Sequence, residues 1–171
     1  PMKTRVLLVT LILVLLSAVQ LARAQQEKKV PRIGLLVPGS AASFANRNDA
    51  FRKGLRDLGY IEGKNITIEY RYSEGKIDPL PNLAGDLVRL GVDVIVTSSG
   101  SAVRAAMKAS KTIPIIFAAV AVDPVEDGLV SSLANPGGNV TGLTIFGPEL
   151  DGKRLELLKE AAPRASRIAV L

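Results

Sequence analysis

Three of the four residues in Ser98-Ser99-Gly100-Ser101 carry hydroxyls. They follow a strand-like segment, Val92 to Thr97, and lead into an alanine-rich stretch, Ser101 to Ser110. Hydroxyls and free backbone N–H groups at a helix start, where the positive end of the dipole lies, favour a carboxylate or a phosphate. The same residues suit a plainer task, because Ser99 or Ser101 can simply cap the helix. Asp123 poses a similar pair of alternatives: N-cap of a helix opening at Pro124, or counter-charge for a ligand amine. Phe44 can stack on a ligand or staple the core, and its loop, Pro38 to Phe44, adds the hydroxyl of Ser40.

Much other chemistry is excluded at once. The 171 residues include no cysteine and no histidine. That removes disulfides, thiol nucleophiles, Cys-based zinc or iron–sulfur centres, a lipidated N-terminal cysteine and any Ser-His-Asp triad. The acids show no spacing that builds a metal cage or a catalytic carboxylate pair. An enzyme is therefore disfavoured, and neither cofactor nor metal is expected. Gly59-Tyr60-Ile61-Glu62-Gly63-Lys64 imitates a phosphate loop but has too few residues between its glycines and follows a helix rather than a strand. No G-x-G-x-x-G follows the first apolar run. Asn65-Ile66-Thr67 and Asn139-Val140-Thr141 are glycosylation sequons by pattern alone.

The charge balance is 22 Lys and Arg against 16 Asp and Glu, a formal net of +6. Lys3, Arg5 and Arg23 lie in the first 24 residues, which carry no acid, leaving 19 bases against 16 acids in the rest. With no run of bases and no interleaved aromatics, a nucleic-acid partner is not expected. The N-terminus has the look of an address. Met2-Lys3-Thr4-Arg5 precedes an apolar run of 14 residues, Val6 to Val19, and then Ala22-Arg23-Ala24. That run is shorter than the roughly 20 residues that span a bilayer. It reads as a signal peptide over 1–24, cleaved before Gln25, with export as a soluble protein. Pro1 ahead of Met2 reads as an upstream codon, so a gene fragment is expected.

Short apolar runs alternate with amphipathic segments from Pro31 onward. Ile33 to Val37 is continuously apolar, as befits a parallel strand covered on both faces. Phe44, Phe51, Leu55 and Leu58 form one helical stripe, which Gly59 ends in the left-handed conformation. Ile66, Ile68 and Tyr70 alternate with polar neighbours, the pattern of a sheet edge. Leu80, Leu83, Ala84, Leu87 and Leu90 mark a second helix ended by Gly91. Val92 to Thr97, Ile113 to Phe117 and Val140 to Phe146 read as three more strands. Ser101 to Ser110 and Asp123 to Leu133 read as helices between them. Leu155, Leu158 and Ala162 line a last helix, and Arg167 to Leu171 begins a sixth strand. This alternation predicts an α/β, doubly wound parallel sheet, with the strand order 2-1-3-4-5. Ligands of such sheets bind beyond the strands' carboxyl ends, where the serine loop, the Pro38 loop and the Ala118-to-Pro124 loop converge.

Several stretches together resemble one family. They are Phe51-Arg52-Lys53-Gly54-Leu55-Arg56-Asp57-Leu58-Gly59-Tyr60, Gly63-Lys64-Asn65-Ile66-Thr67-Ile68-Glu69-Tyr70 and Asp123-Pro124-Val125. Pro136-Gly137-Gly138-Asn139-Val140-Thr141-Gly142 and Lys153-Arg154-Leu155-Glu156-Leu157-Leu158-Lys159 follow in the same order. From about Pro31 to Leu171 the chain is similar to the periplasmic substrate-binding proteins of an ABC-transporter family. Its better-studied members bind aromatic amino acids such as tryptophan. The resemblance implies a type I periplasmic-binding fold of two lobes closing on a ligand. Residues 25–146 would form the first lobe. Residues 147–171 would hold the hinge crossing, at Gly147-Pro148, and the start of a truncated second lobe. It further implies that Ser98, Ser99, Gly100 and Ser101 hold the ligand's carboxylate, with Ala119 and Asp123 nearby. The implied function is delivery of an amino acid or similar carboxylate to an ABC permease in the membrane. The alternative is an extracytoplasmic ligand-sensing domain of a signalling protein, which uses the same fold.

Overall fold

The computed structural model describes residues 29–145, 148–164 and 167. The expected signal peptide, the hinge at Gly147 and the sixth strand over Ile168 to Leu171 lie outside the described residues. From Pro31 onward the chain forms one compact unit. Its elements run β1 (Arg32–Val37), α1 (Ala45–Asp57), β2 (Thr67–Tyr72), α2 (Leu80–Arg89), β3 (Val94–Thr97) and α3 (Gly100–Ala109). They continue with β4 (Ile115–Val120), β5 (Val140–Thr144) and α4 (Pro148–Ala161). All five strands pair in parallel in the order β2-β1-β3-β4-β5, with β2 at an edge as its alternation requires.

Two cores flank the sheet. On one face Leu36, Ile95, Ile115 and Phe117 pack with Leu80, Ala84 and Leu87 of α2 and Ala102, Val103 and Ala106 of α3. On the other, Leu35, Val37, Ile66, Ile68 and Val96 meet Phe44, Phe51 and Leu55 from the α1 side. The continuous apolar run Ile33 to Val37 in β1, and Val94 to Val96 in β3, follow directly from this two-sided burial. Gly34 permits the closest approach of α2: a methyl group there would stand 3.1 Å from both Leu87 Cδ atoms.

The structure departs from the expected elements at several places, among them the start of β3, at Val94 rather than Val92, and the end of β5, at Thr144. Residues 123–133 form successive turns rather than a helix, closed by Asp127 N–H to Asp123 O and Leu129 N–H to Pro124 O. Leu58 does not belong to the apolar stripe of α1. It sits at the C-cap, 75 % exposed, and the chain reverses at Gly59, where φ is +85°. The strand expected over Ile113 to Phe117 begins two residues later and runs to Val120. α4 carries Leu155, Leu157 and Leu158 at 42–55 % exposure.

Tyr70 of β2 stacks on Tyr72, with ring centroids 6.0 Å apart, and its enclosed hydroxyl has no hydrogen-bond partner among the described residues. Burial, followed by the charge of Glu62, holds that phenol above its ordinary pKa of 10.0. A raised folded-state value means stability that is present below about pH 10 and lost as pH rises through the folded value. Tyr70→Phe is thus expected to leave stability at pH 7 unchanged or higher, and to flatten its alkaline loss. Urea melts at about pH 7 and pH 11 test this. A large loss at neutral pH would show that the hydroxyl has a partner after all.

Candidate ligand site at the strand C-termini

β1, β3 and β4 end on the same side of the sheet, as the parallel pairing dictates, and the chain leaves each of them into a loop. Between these ends and α1 lies a cavity of about 390 Å³. Its floor is apolar, formed by Leu35, Val37 and Val96, and Phe44 and Phe51 wall one side. Pro38 and Ser98, from the loops after β1 and β3, line it together with Ala119 near the end of β4, where the sequence predicts a loop starting at Ala118.

The serine loop is built as a helix start. Ser99 is the N-cap of α3, with an extended backbone, and its Oγ accepts a hydrogen bond from Ala102 N–H at 3.2 Å. Ser99 Oγ also lies 3.2 Å from Ser101 Oγ. The capping role of Ser99 is therefore present in the structure, while Ser98 faces the cavity. Gly100 is buried at the first helical position, where Val122, Asp127 and Arg104 crowd around it. Asp127 forms an ion pair with Arg104 at 2.6 Å, so that acid is already matched beside the helix N-terminus.

The remaining expected residues are placed unequally. Ala119 lines the cavity at φ +59°, inside a register shift between Ala118 and Val120. A bulge of this kind turns the strand end and holds a non-glycine residue where the backbone is strained. Asp123 lies off the cavity, and its Oδ1 accepts from Val125 N–H at 2.8 Å and Glu126 N–H at 3.0 Å. It caps a turn, since no helix follows. Ser40 is also outside the lining; its hydroxyl donates to Ser43 Oγ and accepts from Ser43 N–H at 3.1 Å. Phe44 is half-buried on the α1-side core and carries the Arg47 guanidinium 4.9 Å from its ring centroid. The core-staple role is thus present, and the ring also lines the cavity.

Sequence reasoning missed Arg47, Asn48 and Thr97, all of which line the cavity. Thr97 is buried, with its hydroxyl donating to Leu36 O at 2.7 Å, which ties β3 to β1 at the site's edge. Asn48 had a legible signal. It falls on the stripe of Phe44, Phe51 and Leu55, a polar side chain at a core position. Among the described residues, no group of three or more acids stands close enough to hold a metal ion, and no helix is long and apolar enough to cross a membrane.

A largely apolar hollow at the carboxyl ends of parallel strands, bordered by Pro38, Ser98 and the end of β4, lies where α/β sheets bind their ligands. The chain belongs to the ABC transporter substrate-binding protein family, whose profile matches residues 32–171. The tyrosine-binding protein of Clostridioides difficile (strain R20291) is 38 % identical over 144 residues, covering 84 % of this chain and 41 % of that protein. A conserved domain protein from Vibrio cholerae O1 biovar El Tor superposes with a TM-score of 0.71 at 33 % identity, over 80 % of this chain and 45 % of its own. An ABC domain from Streptococcus pneumoniae in complex with L-Trp does so with a TM-score of 0.67 at 32 % identity, over 75 % of this chain and 42 % of its own. The chain thus spans less than half the length of the relatives it matches. The sheet is the parallel α/β sheet expected of the first lobe of a periplasmic-binding fold.

Proposed function

We propose that this chain is the first ligand-binding lobe of an extracytoplasmic solute-binding protein, exported through a cleaved signal peptide over 1–24. The protein would deliver an amino acid or similar carboxylate to an ABC permease. The observation that carries the reading is the cavity at the strand ends, which Ser98 lines one residue ahead of the N-cap of α3; Ser99, Gly100 and Ser101 follow it outside the lining. The ligand's carboxylate would sit against Ser98, Ser99, Gly100 and Ser101, where backbone N–H groups and the helix dipole favour negative charge. Ala119 would border it, and Phe44 would face its apolar part. Ser40 and Asp123 would act through the loops they brace. Support also comes from the relatives, one named for binding tyrosine and one solved with L-Trp.

The mechanism follows from differential binding. A ligand that bridges two lobes favours the closed state by the contacts it makes only there, and the closed state is what a permease would recognise. The test is calorimetric titration of the full-length protein with the proteinogenic amino acids. One or a few should bind with micromolar dissociation constants or better. Heat from none of them would overturn the reading. Ligand-stimulated ATP hydrolysis by the reconstituted transporter separates delivery from sensing.

A further inference from the structure

Asn48 is a polar side chain only 6 % exposed, on the core-facing stripe of α1 and in the wall of the cavity. Its Nδ2 donates to the Tyr72 hydroxyl at 3.1 Å, which fixes the plane of the amide. Its Oδ1 accepts no hydrogen bond among the described residues. That oxygen is nevertheless not sealed in, for Tyr70 Oη is the enclosed and unpartnered side-chain atom of the described residues. Asn48 lines the cavity, so what enters the cavity can supply that oxygen's partner.

We propose that Asn48 is a specificity-determining residue, whose Oδ1 selects ligands carrying an N–H or O–H donor at the end of a large apolar side chain. The inference rests on the amino-acid reading above and deepens it. The cavity and the serine loop share Ser98 at the rim. A ligand with its carboxylate at the serines therefore directs its side chain between Phe44, Phe51 and Val96 towards α1. The walls reward apolar area of any kind. They do not discriminate among aromatic rings. The buried carbonyl does, because a ring without a donor displaces its water and leaves it unpaired, whereas a donor-tipped ring replaces that water. Tyr72 serves as the positioning residue, since its hydroxyl takes the Nδ2 donor and leaves Oδ1 for a ligand.

Three probes isolate the effect in the full-length protein: L-tyrosine, L-phenylalanine and O-methyl-L-tyrosine. The first has a donor, the second neither donor nor acceptor, and the third an acceptor alone. L-tyrosine is expected to bind roughly tenfold or more tightly than either of the others. In Asn48→Leu that ratio should collapse towards unity, mainly through weaker L-tyrosine binding, with L-phenylalanine bound as well or better. Tyr72→Phe, which removes only the anchor, should reduce the ratio part-way and guards against a folding defect in the leucine variant. A ratio unchanged in both variants, or O-methyl-L-tyrosine bound as tightly as L-tyrosine by the parent, would overturn the inference and leave the amino-acid reading standing. No binding of any amino acid would overturn both.

Discussion

Ser101→Asp is expected to weaken amino-acid binding by about 100-fold while the fold becomes more stable. The two effects share one cause, read in opposite directions. Position 101 lies in the first turn of α3, where N–H groups lack intrahelical partners and the dipole is positive. A carboxylate built into the chain there is stabilising, by about 0.5 kcal/mol. The same carboxylate would repel a ligand carboxylate seated as proposed and compete with it for the same donors. Loss of binding by general damage is thereby separated from loss by charge. Calorimetry should show weak or no binding, and thermal denaturation a melting temperature at or above that of the parent. Undiminished affinity would mean the carboxylate is held elsewhere. Ser101→Ala is the uncharged control and should cost far less.

The second large effect concerns the scaffold. Leu87 is fully buried on α2, and its two methyl groups lie over Gly34 of β1. Leu87→Ala should destabilise by about 3 kcal/mol, the usual cost of lost transfer energy plus an unfilled void. That corresponds to a fall of roughly 10 °C in Tm. Gly34→Ala alone should destabilise by about 1 kcal/mol, since its methyl meets both Leu87 Cδ atoms and Val92 Cγ1. Combined, the two changes should cost less than their sum by about 1 kcal/mol, because the new methyl enters the space the leucine vacates. Strict additivity in the double-mutant cycle would show that β1 and α2 are not in the contact described.

The fold was legible because two-sided burial writes itself into composition. β1 reads as an unbroken apolar run since both faces are covered, the centre of β3 is apolar at Val94, Ile95 and Val96 for the same reason, and β2 alternates since it lies at an edge. The region 123–133 was not legible for a complementary reason. Asp123 ahead of Pro124 has the chemistry of a helix start, and the start does form, with Asp123 accepting two backbone N–H groups. Gly128 then takes φ +66°, and the chain turns back to bury Leu129 and Val130 in the core. A cap specifies a beginning; tertiary packing decided the end.

The candidate site divides along similar lines. Its loops could be placed from strand order alone, and Ser98 and Ala119 meet at one cavity as that placement requires. Whether a serine caps or contacts depends on rotamer and neighbour, which spacing does not encode. Asn48 escaped because an asparagine early in a helix is ordinary, and only its coincidence with the apolar stripe marks it. Arg47 left no such trace.

The all-parallel pairing also has a kinetic side. A sheet without hairpins offers no pair of strands that can zip from a tight turn, so every ladder waits on a crossover. The bond from Thr97 to Leu36, at the heart of the sheet, joins residues 61 positions apart. Loop closure over such spans must precede the contacts that reward it, which places the chain among the slower folders of its size. On the proposed export route, where a polypeptide must stay threadable until it has crossed a membrane, that delay would be an advantage built into the order of the strands.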